Sequence, residues 1–275
     1  MKRKNSLISD FLIPVGYTVL VYAIWEGIGF FVSFVVGKMT ENWTNSLNNT
    51  YVVMLLQEIS VFLIMYVLFH KKVYFVRDGK SSVSLLSAFA MLIFPLIQIG
   101  DDLMAIFYGK RVFSLFSGKG IRFFVICCIA SLSIGLMEEF VWRGIILNGF
   151  LSAWKDKKKG IYFAVLISSL CFGLCHYMNL LAGQEFLSTT KQVISAVCMG
   201  VFLSALYLQT NHLIFSILVH GLCDFSNFLM NEILGWDYSV WKYDDILQWI
   251  LAGGYLLTGM YFVYRYIKKP TGKGW

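Results

Sequence analysis

The chain has 275 residues, of which 58% are hydrophobic and 17% aromatic, whereas only 14% are charged. Ordinary soluble domains carry about 25% charged residues, so this composition excludes a water-soluble globular protein and indicates a polytopic membrane protein. The net charge of +7 reflects Lys and Arg residues beside the apolar segments, where they meet anionic lipid headgroups. No Arg-rich soluble block is present, so nucleic-acid binding is not expected.

About eight apolar segments are long enough to cross a bilayer core, which takes roughly 20 residues. The sequence therefore predicts an all-α polytopic membrane bundle of about eight transmembrane helices, built as one domain of residues 1–275 without internal repeats. Basic residues concentrate in the N-terminus, the C-terminus and the loops on the same side of the membrane as the two termini, which predicts that both termini face the cytoplasm. The segments are approximately residues 11–36, 51–69, 83–107, 123–150, 161–178, 192–209, 213–231 and 246–264.

The fourth segment contains three ionisable residues, Glu138, Glu139 and Arg143. Charges at such positions cost roughly 2.5 to 3.5 kcal/mol each on insertion, and they commonly mark functional sites. Glu139 and Arg143 are four residues apart and share a helix face, which predicts an ion pair. Glu138 is rotated by about 100° and has no local partner, so we expect it to be a general base or a carboxylate facing a metal. A purely structural polar clamp, or an interfacial position with Arg143 snorkelling, is the alternative.

The fifth and seventh segments each add a histidine at helical spacing. Phe172 lies one turn before His176, so its ring is expected to fix the imidazole by packing. His220 and Asp224 are also one turn apart, a separation that points two side chains at one metal ion or one water. His176 alone also fits an interfacial residue, whereas His220 lies well inside its segment.

The three motifs Glu-Glu-x-x-x-Arg, Phe-x-x-x-His and His-x-x-x-Asp, in this order, resemble the CPBP family, the CAAX proteases and bacteriocin-processing enzymes also called Abi. The resemblance covers roughly residues 123–231, the expected catalytic core. It implies peptide-bond hydrolysis inside the membrane, with Glu138 and His176 activating water and His220 with Asp224 on the opposite side of the reacting carbonyl. Glu139, Arg143 and Phe172 would support these groups structurally.

Two mechanisms remain open at this point. In one, His176, His220 and Asp224 hold a divalent metal such as zinc, which lowers the pKa of its water to about 7. In the other, Glu138 deprotonates water directly and His220 with its partner stabilises the oxyanion. The third motif of the family often ends in Asn, whereas an ionised Asp224 can only accept hydrogen bonds. This difference favours Asp224 as a metal ligand or as a carboxylate that orients His220.

If each apolar segment simply crosses the membrane in the direction opposite to the one before it, the predicted site residues lie at different depths in the bilayer. That alternation puts Glu138 and His220 in the cytoplasmic half of the bilayer and His176 near its outer face. For His176 to join the site, the fourth or fifth helix must be tilted, broken or shifted, and the candidate positions are Gly144, Gly149 and Gly160.

The expected partners are membrane lipid and a peptide or membrane-protein substrate, and the expected location is a bacterial plasma membrane. A non-enzymatic protein that binds a partner, in bacteriocin self-immunity or sensor-kinase modulation, is the main alternative. An ion-coupled transporter is less well supported, because transporters commonly show internal repeats. Glu26 and Glu58, in the first two segments, are expected to line a cavity or an interface.

Overall fold

Helices and short turns make up the described part of this protein. The structure is a computed structural model, and it describes residues 12–39, 47–73, 75, 92–108, 118–154, 159–181, 183–230 and 244–268. These residues contain no β-strand, which confirms the predicted all-α class. Within them, five helical runs are long and apolar enough to cross a membrane. They are Ile13–Met39, Gly120–Trp154, Gly160–Leu180, Phe186–Thr210 and Ile246–Lys268, and two shorter apolar helices are Met54–Phe69 and Leu213–Phe228.

Each predicted segment coincides with at least one helix. The helices are α1 (Ile13–Met39), α2 (Leu47–Phe69), α3 (Ile93–Tyr108), α4 (Gly118–Glu139), α5 (Asn148–Trp154), α6 (Gly160–Cys175), α7 (Phe186–Thr210), α8 (Leu213–Met230) and α9 (Asp244–Lys268). A π-helix, Phe140–Leu147, joins α4 to α5, and short 3₁₀ helices, His70–Lys72 and His176–Leu180, follow α2 and α6. Residues 11, 83–91 and 231 of the predicted segments lie outside the described residues.

The π-helix occupies the centre of the bundle, since every side chain from Phe140 to Leu147 is buried. Around it, the large buried side chains include Phe150, Phe172 and Tyr207. The outer faces of α1 and α9 instead expose apolar residues such as Phe30 and Leu257, as a lipid-facing surface requires. The charged motif Glu139–Arg143 therefore lies in the protein interior rather than against lipid.

Glycines allow the closest helix approaches around this centre. A Cβ on Gly135 of α4 would lie 2.9 Å from the backbone nitrogen of Gly221 on α8. A Cβ on Gly173 of α6 would lie 2.7 Å from the carbonyl oxygen of Val193 on α7. Small residues at such crossings let helix backbones touch, which brings the end of α4 next to α8 and the end of α6 next to α7.

A longer fourth helix resolves the conflict in depth. The helical run that starts as α4 continues through the π-helix to Trp154, and α6 begins at Gly160, directly against the Trp154 backbone. Glu138 and His176 each lie about 16 residues, or roughly 24 Å, from this shared end, so both reach the same depth. The run is altered by a π-helix that includes Gly144, one of the predicted positions, and it is not broken.

The start of α8 is buried as well. Thr210 and Asn211, at the turn between α7 and α8, are almost inaccessible. The backbone nitrogen of Leu213 donates to the carbonyl oxygen of Phe75 at 2.9 Å, so Phe75, which lies outside the helices, is hydrogen-bonded to this turn. Because α8 begins inside the protein, His220 reaches the level of Glu138 within about two helical turns.

Candidate active site

Glu139 connects three helical elements at the centre of the site. Its Oε1 accepts a hydrogen bond from Arg143 Nη1 at 2.5 Å and another from His220 Nδ1 at 2.8 Å. The three side chains are 0%, 1% and 3% exposed, respectively. Arg143 Nη2 donates to the Gly200 carbonyl oxygen on α7 at 3.3 Å, and the guanidinium lies 4.6 Å from the centre of the Phe172 ring. The ion pair expected from the spacing of Glu139 and Arg143 is thus present, and it is fully buried.

The hydrogen bond from His220 to Glu139 determines which imidazole nitrogen faces the site. A carboxylate can only accept, so Nδ1 carries a proton and Nε2 points away from Glu139. The sequence suggested Asp224 as the carboxylate that orients His220, but in the structure Glu139 holds this position. Asp224 Oδ2 lies 3.7 Å from His220 Nε2, on the other side of the ring.

Two carboxylates face the outer nitrogen of His220. Glu138 Oε2 lies 3.6 Å from Nε2, a distance similar to that of Asp224. Both oxygens are buried, and no hydrogen bond reaches either of them from the residues that the structure describes. Buried polar atoms normally have a partner, so this gap is where a water molecule or a polar substrate group fits. The structure therefore brings Glu138, His220 and Asp224 together around one small space.

His176 joins this group through Phe172. The Phe172 ring packs edge-on against the rings of both His176 and His220, with centroid distances of 5.2 and 5.7 Å. His176 Nδ1 donates to the backbone carbonyl of Phe172 at 3.0 Å, which leaves Nε2 as the acceptor. The one-turn spacing predicted this packing, and the end of α6 carries His176 into the same layer as His220.

The prediction that His176, His220 and Asp224 hold a metal ion stays a prediction. Across the described ranges, no group of three or more His, Cys, Asp or Glu side chains has the geometry to hold a metal ion. Each histidine uses Nδ1 in a hydrogen bond, as metal-binding histidines commonly do, which leaves Nε2 of each histidine for another partner.

The first two helices contribute residues that motif analysis missed. Tyr22 of α1 has its ring 6.2 Å from Trp142, and the tyrosine interacts electrostatically with Glu138. Glu58 of α2 interacts in the same way with Glu138 and Asp224. Glu58 was recognisable as a charge within an apolar segment, but Tyr22 is one of 15 tyrosines and has no distinguishing sequence signal.

Together, the membrane-crossing helices and the buried cluster of two histidines and two carboxylates define an integral membrane protein with a polar site of the kind that activates water. Residues 120–226 match a family model described as type II CAAX prenyl endopeptidase Rce1-like. This match confirms the resemblance to the CPBP family of CAAX proteases that the three motifs predict, and it supports a protease. No curated protein and no solved structure matches the chain.

Proposed function

We propose that this protein is an intramembrane endopeptidase of a bacterial plasma membrane that hydrolyses a membrane-anchored peptide. The observation that carries the proposal is the pair of buried carboxylate oxygens, on Glu138 and Asp224, that face His220 without hydrogen-bond partners from the described residues. The description of the matching family as prenyl endopeptidases makes a peptide with a prenylated cysteine near its C-terminus the first substrate to test.

In the proposed mechanism, Glu138 is the general base and His176 helps to hold the attacking water through its free Nε2. Glu138 removes a proton as the water oxygen bonds to the carbonyl carbon. His220 lies across the gap, held by Glu139, and in its doubly protonated form it donates from Nε2 to the carbonyl oxygen. When the intermediate collapses, the carbon–nitrogen bond breaks and Glu138 returns the proton to the leaving amine.

We propose a mechanism of the glutamate type, and its support is that the described residues include no group of three or more His, Cys, Asp or Glu side chains placed to hold a metal ion. We therefore expect the purified enzyme to keep at least about half of its activity after prolonged exposure to 1,10-phenanthroline, measured against the non-chelating 1,7-isomer. Loss of activity with the chelating isomer only, reversed by added zinc, would instead support the metal mechanism.

The proposed activity is tested with purified protein in lipid nanodiscs. Wild type is incubated with a prenylated C-terminal peptide, with the same peptide lacking the prenyl group, and with a leader-bearing membrane peptide. Mass spectrometry identifies the products, and a Glu138→Gln protein is the control. We expect defined cleavage of the prenylated peptide by wild type only. Identical product profiles for wild type and Glu138→Gln with every peptide would contradict the proposal.

A further inference from the structure

Tyr22 of α1 belongs to the same aromatic wall as the proposed catalytic groups. Its ring lies 5.8 Å from Trp25 and 6.2 Å from Trp142, measured between ring centroids. Trp142 follows Glu138 by one helical turn, and its ring is 5.7 Å from Phe172, which contacts both histidines. Helix α1 lies outside the segment that matches the CAAX protease family, so this contact is supplied by a different part of the chain.

The hydroxyl group of Tyr22 is buried on the side of α1 that packs against Trp142. Its oxygen is buried, and among the described residues it has no hydrogen-bond partner of normal geometry. Glu26, one turn further along α1, is close enough to act as a hydrogen-bond acceptor for the hydroxyl, and the tyrosine also interacts electrostatically with Glu138 and Cys175. Cys175 directly precedes His176, the residue proposed to hold the attacking water.

The proposed reaction would gain from a second donor to the carbonyl oxygen beside His220. Attack of water moves the π electrons of the carbonyl bond onto its oxygen, and donors aimed at this charge are usually a large part of catalysis. Asp224 stands where the family often has Asn, and an ionised carboxylate cannot donate. A phenol hydroxyl carries an O–H donor, and the buried hydroxyl of Tyr22 makes no hydrogen bond of normal geometry with the described residues.

We infer, on the basis of the proposed function, that Tyr22 is a further catalytic residue whose hydroxyl donates a hydrogen bond to the oxygen of the scissile carbonyl. Tyr22 keeps its proton throughout. The carbonyl electron pair returns from the oxygen as the carbon–nitrogen bond breaks, and the amine takes the proton held by Glu138. Tyr22 then performs the task that an amide at position 224 would perform.

The test is Tyr22→Phe, which removes the hydroxyl and keeps the ring. We expect kcat to fall about 10²- to 10³-fold, as when one oxyanion donor is removed, with KM within about threefold of wild type. Tyr17→Phe is the matched control, because Tyr17 lies on the same helix and its ring packs beside Gly149 of α5. Both variants should match wild type in size-exclusion profile and thermal unfolding in detergent.

A second measurement separates catalysis from packing. A peptide aldehyde, which binds as a tetrahedral adduct or hydrate, should lose affinity for Tyr22→Phe by about the factor lost in kcat/KM, whereas the product peptide should bind equally well. A kcat within threefold of wild type, or unchanged affinity for the aldehyde, would overturn the role of Tyr22. If wild type cleaves and Glu138→Gln does not, the proposed function stands whatever Tyr22→Phe shows. If wild type cleaves no peptide, both proposals fall.

Discussion

Glu138→Gln is expected to lower the rate of peptide hydrolysis by about 10²- to 10⁴-fold, the range that a general base contributes. Glutamine preserves the size of the side chain, but its amide cannot take a proton from water. The carboxylate oxygen of Glu138 has no hydrogen-bond partner among the described residues, so its replacement by a neutral amide should leave the unfolding temperature unchanged or slightly raised. Initial rates and thermal unfolding of the same nanodisc preparation measure both effects.

Glu139→Gln is the matched comparison, because it makes the same chemical change one residue away. Glu139 accepts hydrogen bonds from both Arg143 and His220, so its loss leaves a buried guanidinium without its counter-charge. We expect this variant to lose stability as well as activity. If Glu138→Gln were the less stable of the two, or if it kept wild-type activity, the assignment of separate roles to the adjacent glutamates would be wrong.

Arg143→Met is expected to reduce the free energy of unfolding by about 3 to 5 kcal/mol, because removal of one partner strands the other charge in the interior. Methionine fills a similar volume, so the loss reflects electrostatics and hydrogen bonding more than a cavity. The contact from Arg143 to the Gly200 carbonyl on α7 disappears at the same time. Reversible unfolding in mixed micelles measures the change.

A double variant tests whether the loss of stability comes from the unpaired buried charge. Glu139→Gln combined with Arg143→Met contains neither buried charge of the pair, so it should recover much of the stability lost in Arg143→Met. It should remain inactive, since His220 has lost the carboxylate that orients its Nδ1. A single Arg143→Met protein that unfolds like wild type would show that the pair does not support the fold.

Local spacing predicted the parts of the site that lie on one helix. The ion pair of Glu139 with Arg143 and the packing of Phe172 on His176 both follow from the rule that residues four apart share a face. The apolar segments predicted the helices, because hydropathy, like the four-residue spacing, is read from neighbouring positions in the sequence. The order of the three motifs was sufficient to predict the family that the match to residues 120–226 confirms.

Contacts between distant helices could not be read in this way. The bond from His220 to Glu139 joins α8 to α4, and it adds a second carboxylate on the opposite side of the ring from Asp224, the neighbour that spacing alone predicted. The depth of His176 depends on the fourth helical run, which continues through the π-helix to Trp154, beyond the predicted segment that ends at residue 150. Tyr22 has no motif, and only the packing of α1 places it near Glu138.

The central claim is that Glu138 is the base of a peptide-cleaving site. The most direct measurement is a comparison of peptides from membranes and medium of cells that produce wild type or Glu138→Gln at equal levels. The account predicts that a defined set of cleavage products is present with wild type and absent with Glu138→Gln, and their new termini identify the substrate. Indistinguishable peptide profiles would contradict it and would leave Glu138, His220 and Asp224 as a structural or partner-binding polar core.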